Sequence, residues 1–217
     1  MSQVFHCPAR LVVVLSGASG VGKNKIQGGL ENCSFSVAAG KPHTLTSATT
    51  RPLREKDGEV AGVHYHPMSD DEFCRRHERG EFAEAVKNPN GYRYGLLASE
   101  FERAPEGSLA IVHLNIDGGL VLKQRYPQVL LIWVVADRNK ERNLLLCKYR
   151  MTQRGDKSQD IAKRLEIAKD EMARMDHLLI HGRYDHVIVN ADGKLADATH
   201  ETHRLIEAAL TLSCVTS

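Results

Sequence analysis

The chain has 217 residues, 42% of them hydrophobic and 26% charged, and a formal net charge of +2. That length carries one α/β domain with a full core and a smaller inserted lobe, and the composition is that of an ordinary globular chain. So mild a charge excludes a nucleic-acid binder held by a broad basic surface, although local arginine clusters can still take phosphate.

The five cysteines, Cys7, Cys33, Cys74, Cys147 and Cys214, are odd in number and lack any C-x-x-C pairing. Neither a disulfide framework nor a zinc site is expected, and a reducing compartment fits better. Met1 to Arg10 has no long apolar core, and the longest apolar run, Val129 to Ala136, is too short to cross a bilayer. The expectation is a cytoplasmic protein without a signal peptide, a membrane partner or a nucleic-acid partner.

In chain order, Leu11 to Leu15 is an unbroken run of Leu and Val that reads as a strand buried on both faces. It runs into Gly17-Ala18-Ser19-Gly20-Val21-Gly22-Lys23-Asn24, the Gly-x-x-x-x-Gly-Lys spacing of a phosphate-cradling loop. Glycines let the backbone approach phosphate with its N–H groups turned inward, and the following helix N-terminus adds a partial positive charge. Lys23 supplies a mobile point charge for the β- and γ-phosphates. The usual pattern then has Ser or Thr as a magnesium ligand, where this chain has the amide of Asn24.

A first helix is expected from Lys23 to about Glu31, weakened by Gly28 and Gly29. Asn32 to Pro42 reads as loop and Thr44 to Ser47 as a short strand. Arg51 and Arg54, three apart and fixed by Pro52, can hold one phosphate from two sides, though alone such a pair is a solvated basic turn. His64, Tyr65 and His66 alternate as on a strand, and two histidines without a third ligand nearby read as surface residues. Ser69 to Glu78 opens with Ser and acids, a sound helix start.

Ser108 to Asn115 and Val129 to Ala136 read as core strands with a helix between them at Gly118 to Tyr126, and Arg138 to Tyr149 reads as a further helix. Arg150 to Ser158 breaks the pattern with Gly and charge, as a mobile lid would. Beyond Asp160, apolar residues at Ile161, Leu165, Ala168, Met172 and Met175 mark one buried helix face. His186 to Asn190 is the last strand and Leu195 to Leu210 the closing helix. This alternation calls for a parallel, helix-covered sheet.

The motifs Ser47-x-Thr49-Thr50-Arg51-x-x-Arg54, Gly58-Glu59-x-x-Gly62-x-x-Tyr65 and Gly80-Glu81-Phe82-Ala83-Glu84 follow the phosphate loop in order. Tyr92-Arg93-Tyr94-Gly95, Leu114-Asn115-Ile116-Asp117, Arg150 to Gly155, Ile161 to Leu165 and Val187 to Asn190 come after them. With these motifs the chain resembles the guanylate kinase family over roughly residues 11 to 210. The resemblance implies an α/β P-loop kinase with its core in residues 1–45 and 108–217 and a lid at about 150–165. A GMP-binding lobe would be inserted at residues 46–107.

It further implies transfer of the γ-phosphoryl of ATP to GMP or dGMP, giving ADP and GDP, with Mg²⁺ accompanying ATP. Arg51, Arg54, Tyr65 and Tyr94 would grip the acceptor phosphate. Glu84 and Asp117 would accept from guanine N1 and its amine, with Ser47 near O6. Lys23, Arg51, Arg150, Arg154 and Arg164 would neutralise the transferring charge, and Asn190 would lie near adenine. Such chemistry asks for positioning and charge more than for a general base.

Three residues depart from the family's pattern. Asn24 replaces the hydroxyl of the loop, Asn115 replaces the first Asp of an Asp-x-Asp near the metal, and Leu96 replaces a Ser or Thr that contacts the base. A lone Asn24 at the metal leaves magnesium held mainly by phosphates and water. Leu96 keeps open a kinase acting on another acceptor, such as a modified purine monophosphate. The two Asn residues keep open a non-catalytic module that binds a nucleotide or a protein. As an enzyme the chain is expected to be a monomer or homodimer.

Overall fold

The computed structural model describes residues 5–36, 40–54, 58–88 and 91–215. Parts of three expected stretches, residues 1–4, 37–39 and 55–57, lie outside the described residues.

Strand β1 (Leu11–Ser16) is buried at every position. It lies at the centre of a five-stranded sheet between β7 (Leu109–His113) and β8 (Val129–Val135), with β2 (His43–Thr44) and β9 (His186–Val189) at the edges. All pairings are parallel, Val13 lying opposite both Ile111 and Leu130. A parallel sheet needs helices on both faces, which is why its strands are apolar throughout and do not alternate.

Alternate residues of β1 feed two cores. Val13 and Leu15 pack with Ile26 and Leu30 of α1 (Lys23–Leu30), Ile206 and Leu210 of α7 (Leu195–Val215) and Cys147 and Met151 of α5 (Lys140–Gln153). Val12 and Val14 pack with Leu122 of α4 (Ile116–Arg125) and with Met172 and Met175 of α6 (Ser158–Ile180). Each such fully buried side chain contributes roughly 1.5–3 kcal/mol.

A second sheet, ordered β4-β3-β6-β5, comes entirely from the chain between β2 and β7. It comprises β3 (Ala48–Thr49), β4 (His66–Pro67), β5 (Phe82–Lys87) and β6 (Arg93–Leu97). Its helix α2 (Asp70–Glu78) is capped by Ser69, whose side chain accepts from the Glu72 N–H at 3.1 Å. Phe73 of α2 stacks on Phe82 with ring centroids 4.4 Å apart, making a small separate core. Helix α3 (Ala98–Glu102) returns the chain to the main sheet.

Four expectations shift. The strand expected over Thr44–Ser47 is split into β2 and β3, because the chain leaves one sheet and enters the other there. The strand over His64–His66 is reduced to β4, with only a single bridge from Ala61 to Tyr65 before it. Helix α4 starts two residues early, since Asn115 caps it. The break over Arg150–Ser158 shrinks to Arg154–Lys157: α5 runs on to Gln153, with Met151 buried beneath it, and α6 begins at Ser158.

Candidate active site

The C-terminal ends of β1, β7 and β8 open onto the phosphate loop. Gly17 (φ 141°) and Gly22 (φ 94°) hold left-handed backbone that only glycine adopts without strain. A Cβ on Gly17 would lie 2.3 Å from the Val134 carbonyl oxygen, and one on Gly22 would lie 2.3 Å from Asn190 Nδ2. Gly22 occupies the N-cap of α1, so no side chain answers the free N–H groups of the first turn, which has no acidic residue. That end of the helix is suited to an anion.

Lys23 folds back over the loop, its Nζ donating to the Gly17 carbonyl at 2.6 Å and the Ala18 carbonyl at 3.1 Å. Burial lowers its pKa, and Glu171 on α6 opposes that shift. Asn190, just after β9, is 5% exposed and donates its amide to the Val21 carbonyl at 2.8 Å. Arg150 Nη2 donates to the Asn190 carbonyl at 2.8 Å, and its Nε donates to Asp192 at 3.0 Å. Both residues thus brace the loop from behind. Asn24 is exposed on the first turn of α1.

The second sheet and the segments beside it carry the residues expected for the acceptor, Glu84 on β5, Tyr94 on β6 and Ser47, Arg51, Arg54 and Tyr65 in the connecting segments. The Arg51 guanidinium donates twice to Glu59 at 2.9 Å and sits 5.3 Å from the Tyr65 ring centroid. The Tyr65 and Tyr94 rings meet edge-on at 6.3 Å. The Arg54 N–H donates to the same Glu59 carboxylate at 2.7 Å. Ser47 is buried, and its carbonyl accepts from the His66 N–H at 2.8 Å.

Glu84 on β5 is 1% exposed, and neither of its carboxylate oxygens has a hydrogen-bond partner. Burial pushes its pKa up to about 8, the Leu96 backbone and the Arg125 charge opposing without offsetting it. One oxygen lies so close to Gly118 of α4 that a Cβ there would approach it to 2.8 Å. A carboxylate enclosed without a donor is costly, and ligand donors would relieve that cost. Leu96 pairs with Glu84 across the sheet and its side chain is fully buried in the main core, so that side chain offers the site no polar contact.

Asp117 caps neither helix nor loop; it ion-pairs with Arg174 of α6, one of whose Nη atoms lies 3.2 Å away. Asn115 is committed to structure. Its Oδ1 accepts from the Gly118 N–H at 2.8 Å, and its Nδ2 bonds to Asn88. Arg154 and Arg164 share Asp156, whose side chain is 1% exposed. Their guanidinium groups, Arg154 first, hold the Asp156 carboxyl below its usual range. Arg54 is depressed by burial and by the like charges of Arg51 and Arg164, which ties this cluster to the acceptor arginines.

His64 and His66 are engaged locally, His64 Nδ1 accepting from the Val60 N–H at 3.0 Å and His66 bonding Glu100 at 3.1 Å. Among the described residues no group of three or more His, Cys, Asp or Glu is placed to hold a metal ion.

The family profile described as guanylate kinase matches residues 9–209. The chain belongs to the guanylate kinase family. It is 33% identical over 183 residues to a Helicobacter pylori guanylate kinase, covering 83% of this chain and 80% of that protein. It is 33% identical to the Thermotoga maritima guanylate kinase, covering 82% and 77%. A crystal structure of guanylate kinase from Anaplasma phagocytophilum shares the fold, with a TM-score of 0.61 at 18% identity over 95% of this chain and 88% of that one.

In this chain of the guanylate kinase family the basic motif residues have acidic partners to which the sequence assigned no role, Glu59 entering only as a letter of its motif. Glu59 and Asp156 each neutralise two arginines, Asp192 holds Arg150, and Glu171 faces Lys23. Glu171 was recoverable, since it lies seven residues, two helical turns, beyond Arg164 on one face of α6. Burial lifts its pKa to about 7 against the pull of Lys23 and Arg174.

Proposed function

We propose that this chain is a working guanylate kinase that passes the γ-phosphoryl of ATP to GMP or dGMP, yielding ADP and GDP. The observation that carries the reading is Glu84: a buried carboxylate without a donor, on the sheet that also holds Tyr94 and is flanked by the segments carrying Arg51, Arg54 and Tyr65. Guanine presents two N–H donors on one edge and satisfies such an acceptor, whereas the adenine N1 is itself an acceptor. Ser47 and Asp117 complete the base contacts, Asp117 by sharing its carboxylate between Arg174 and the guanine amine.

The catalytic work in this reading is positioning and charge neutralisation. The loop amides of Gly17 to Asn24 and the α1 N-terminus receive the donor phosphates, and Lys23 turns from the Gly17 and Ala18 carbonyls to their oxygens. Arg51 and Arg54 hold the acceptor phosphate, taking it in place of part of the Glu59 contact. Arg150, Arg154 and Arg164 follow the charge as it moves, with residues 150–165 acting as the lid over residues 46–107 and the core. Asn190 lies on the adenine side, through the loop it braces.

Magnesium fits this site only as a companion of the nucleotide. Asn24 is exposed beside the loop and can give an amide oxygen, while Asn115 is taken up by capping α4. Magnesium commonly keeps several waters and binds through phosphates, and when bound it screens the charge on the β- and γ-phosphates. No helix among the described residues is long and apolar enough to cross a membrane. We place the protein in the cytoplasm.

Steady-state release of ADP from ATP–Mg²⁺ with a panel of nucleoside monophosphates tests the proposal. GMP or dGMP is expected to exceed AMP, CMP and UMP by tenfold or more. A tenfold preference for another monophosphate contradicts the acceptor. GMP binding without turnover of any acceptor contradicts the enzyme.

A further inference from the structure

His113 ends β7, opposite Leu15 and immediately beside the start of the phosphate loop. Strand alternation places it on the same face as Ile111, the face that carries Val13 and Leu15 towards α1. The charges of Lys23, at the end of the Gly-rich loop, and of His64, in the turn before β4, both act on it. His113 therefore stands beside the loop proposed to receive the donor phosphates, within electrostatic reach of the turn that leads into the second sheet.

Its Nε2 is shut off from solvent and has no hydrogen-bond partner, an arrangement that folded proteins avoid unless the atom serves a further role. The ring is also held neutral, since burial, Lys23 and His64 together push its pKa down to about 3. A neutral imidazole offers one N–H donor without adding a fixed charge between two phosphates. None of the motif residues described above makes use of it.

We propose that His113 is a substrate-contacting residue, its Nε2–H donating to a phosphoryl oxygen of the nucleotides that meet between Lys23 and the second sheet. The inference rests on the phosphotransferase reading above. It adds a donor that reaches the reacting groups from the sheet side, opposite the arginines of α5 and α6.

The test uses His113→Phe, which keeps a planar ring without a donor, and His113→Gln, which restores an N–H at similar reach. With GMP and ATP–Mg²⁺, His113→Phe is expected to lower kcat/KM about tenfold or more, as for a lost hydrogen bond to a charged group. His113→Gln is expected to recover part of that loss. Thermal melting of the nucleotide-free His113→Phe protein should match or exceed wild type, separating a contact with substrate from a structural role.

In the wild-type protein, the ¹⁵N resonance of His113 Nε2 should shift when GMP and ADP are added together. Wild-type kcat/KM in His113→Phe, or an unmoved Nε2 resonance in the saturated protein, overturns the proposal while leaving the kinase reading intact. A wild-type protein inactive towards every monophosphate instead overturns that reading itself.

Discussion

The two halves of the proposed site, donor and acceptor, are built from different materials. The donor side is backbone: glycines at positive φ, a helix terminus with no capping side chain, and a single lysine bonded to loop carbonyls. The acceptor side is side chain: two arginines on Glu59, two tyrosines edge to edge, and a buried glutamate with no donor. A cradle of amides depends on conformation and tolerates little added volume. A pocket of ionisable groups depends on charge and responds to pH. The halves should therefore fail in different ways.

The largest effect is expected at the lysine of the donor loop. Lys23→Ala should lower kcat by about a hundred- to a thousandfold, as removal of a preorganised transition-state donor does, with little change in melting temperature. Near-wild-type turnover would show that the loop does not receive the β- and γ-phosphates. Gly17→Ala should act through shape instead. Its Cβ meets the Val134 carbonyl at 2.3 Å, backbone that cannot turn aside, so a stability loss of about 2–4 kcal/mol is expected by chemical denaturation.

Glu84→Gln should separate the halves most cleanly. GMP affinity should fall by roughly ten- to a hundredfold, the worth of charge-assisted hydrogen bonds, with ATP affinity unchanged by calorimetry. The same variant should change the pH profile of stability. The Glu84 carboxyl ionises near its ordinary 4.5 when unfolded and near 8 when folded. Between those values the native state keeps a proton that the unfolded state has lost, so nucleotide-free stability should fall as pH rises through that window. Denaturation series from pH 4.5 to 8 should show a steeper fall in wild type than in Glu84→Gln, the slope left in the variant coming from Glu171 and His113.

The smallest effect is expected at Asn24. Asn24→Ser should change activity or magnesium dependence by about twofold, since most of the metal's ligands come from phosphate and water. No change in either would remove Asn24 from the metal's surroundings.

This division also explains what was legible in the sequence. The turn at residues 17 to 23 was readable as a glycine-dependent loop between a buried strand and a helix, because backbone at positive φ needs glycines at fixed spacing, and spacing is what a sequence displays. The parallel core was readable for a similar reason, since strands covered on both faces need unbroken runs such as Val129 to Val135. The residues proposed for the acceptor were singled out only through family motifs; Arg51 and Arg54 taken alone describe a solvated turn.

What the sequence hid were the partners. Asp156 and Glu59 look like surface acids until the fold places each between two arginines. His113 looks like the end of a strand until its Nε2 is found enclosed, without a partner, beside the loop. Asn115 looked like a defect in a metal site, and the fold gives it the work of capping α4. Burial and distance decide these roles, and neither is written in residue order.

The central claim is that Glu84 waits, protonated, for guanine. Calorimetric titration of the nucleotide-free protein with GMP at pH 7, in phosphate and in Tris, tests it directly. Binding should release close to one proton, seen as a difference in apparent enthalpy between the two buffers, and Glu84→Gln should abolish that release. Equal enthalpies in the two buffers, or a release that persists in the variant, would contradict the account.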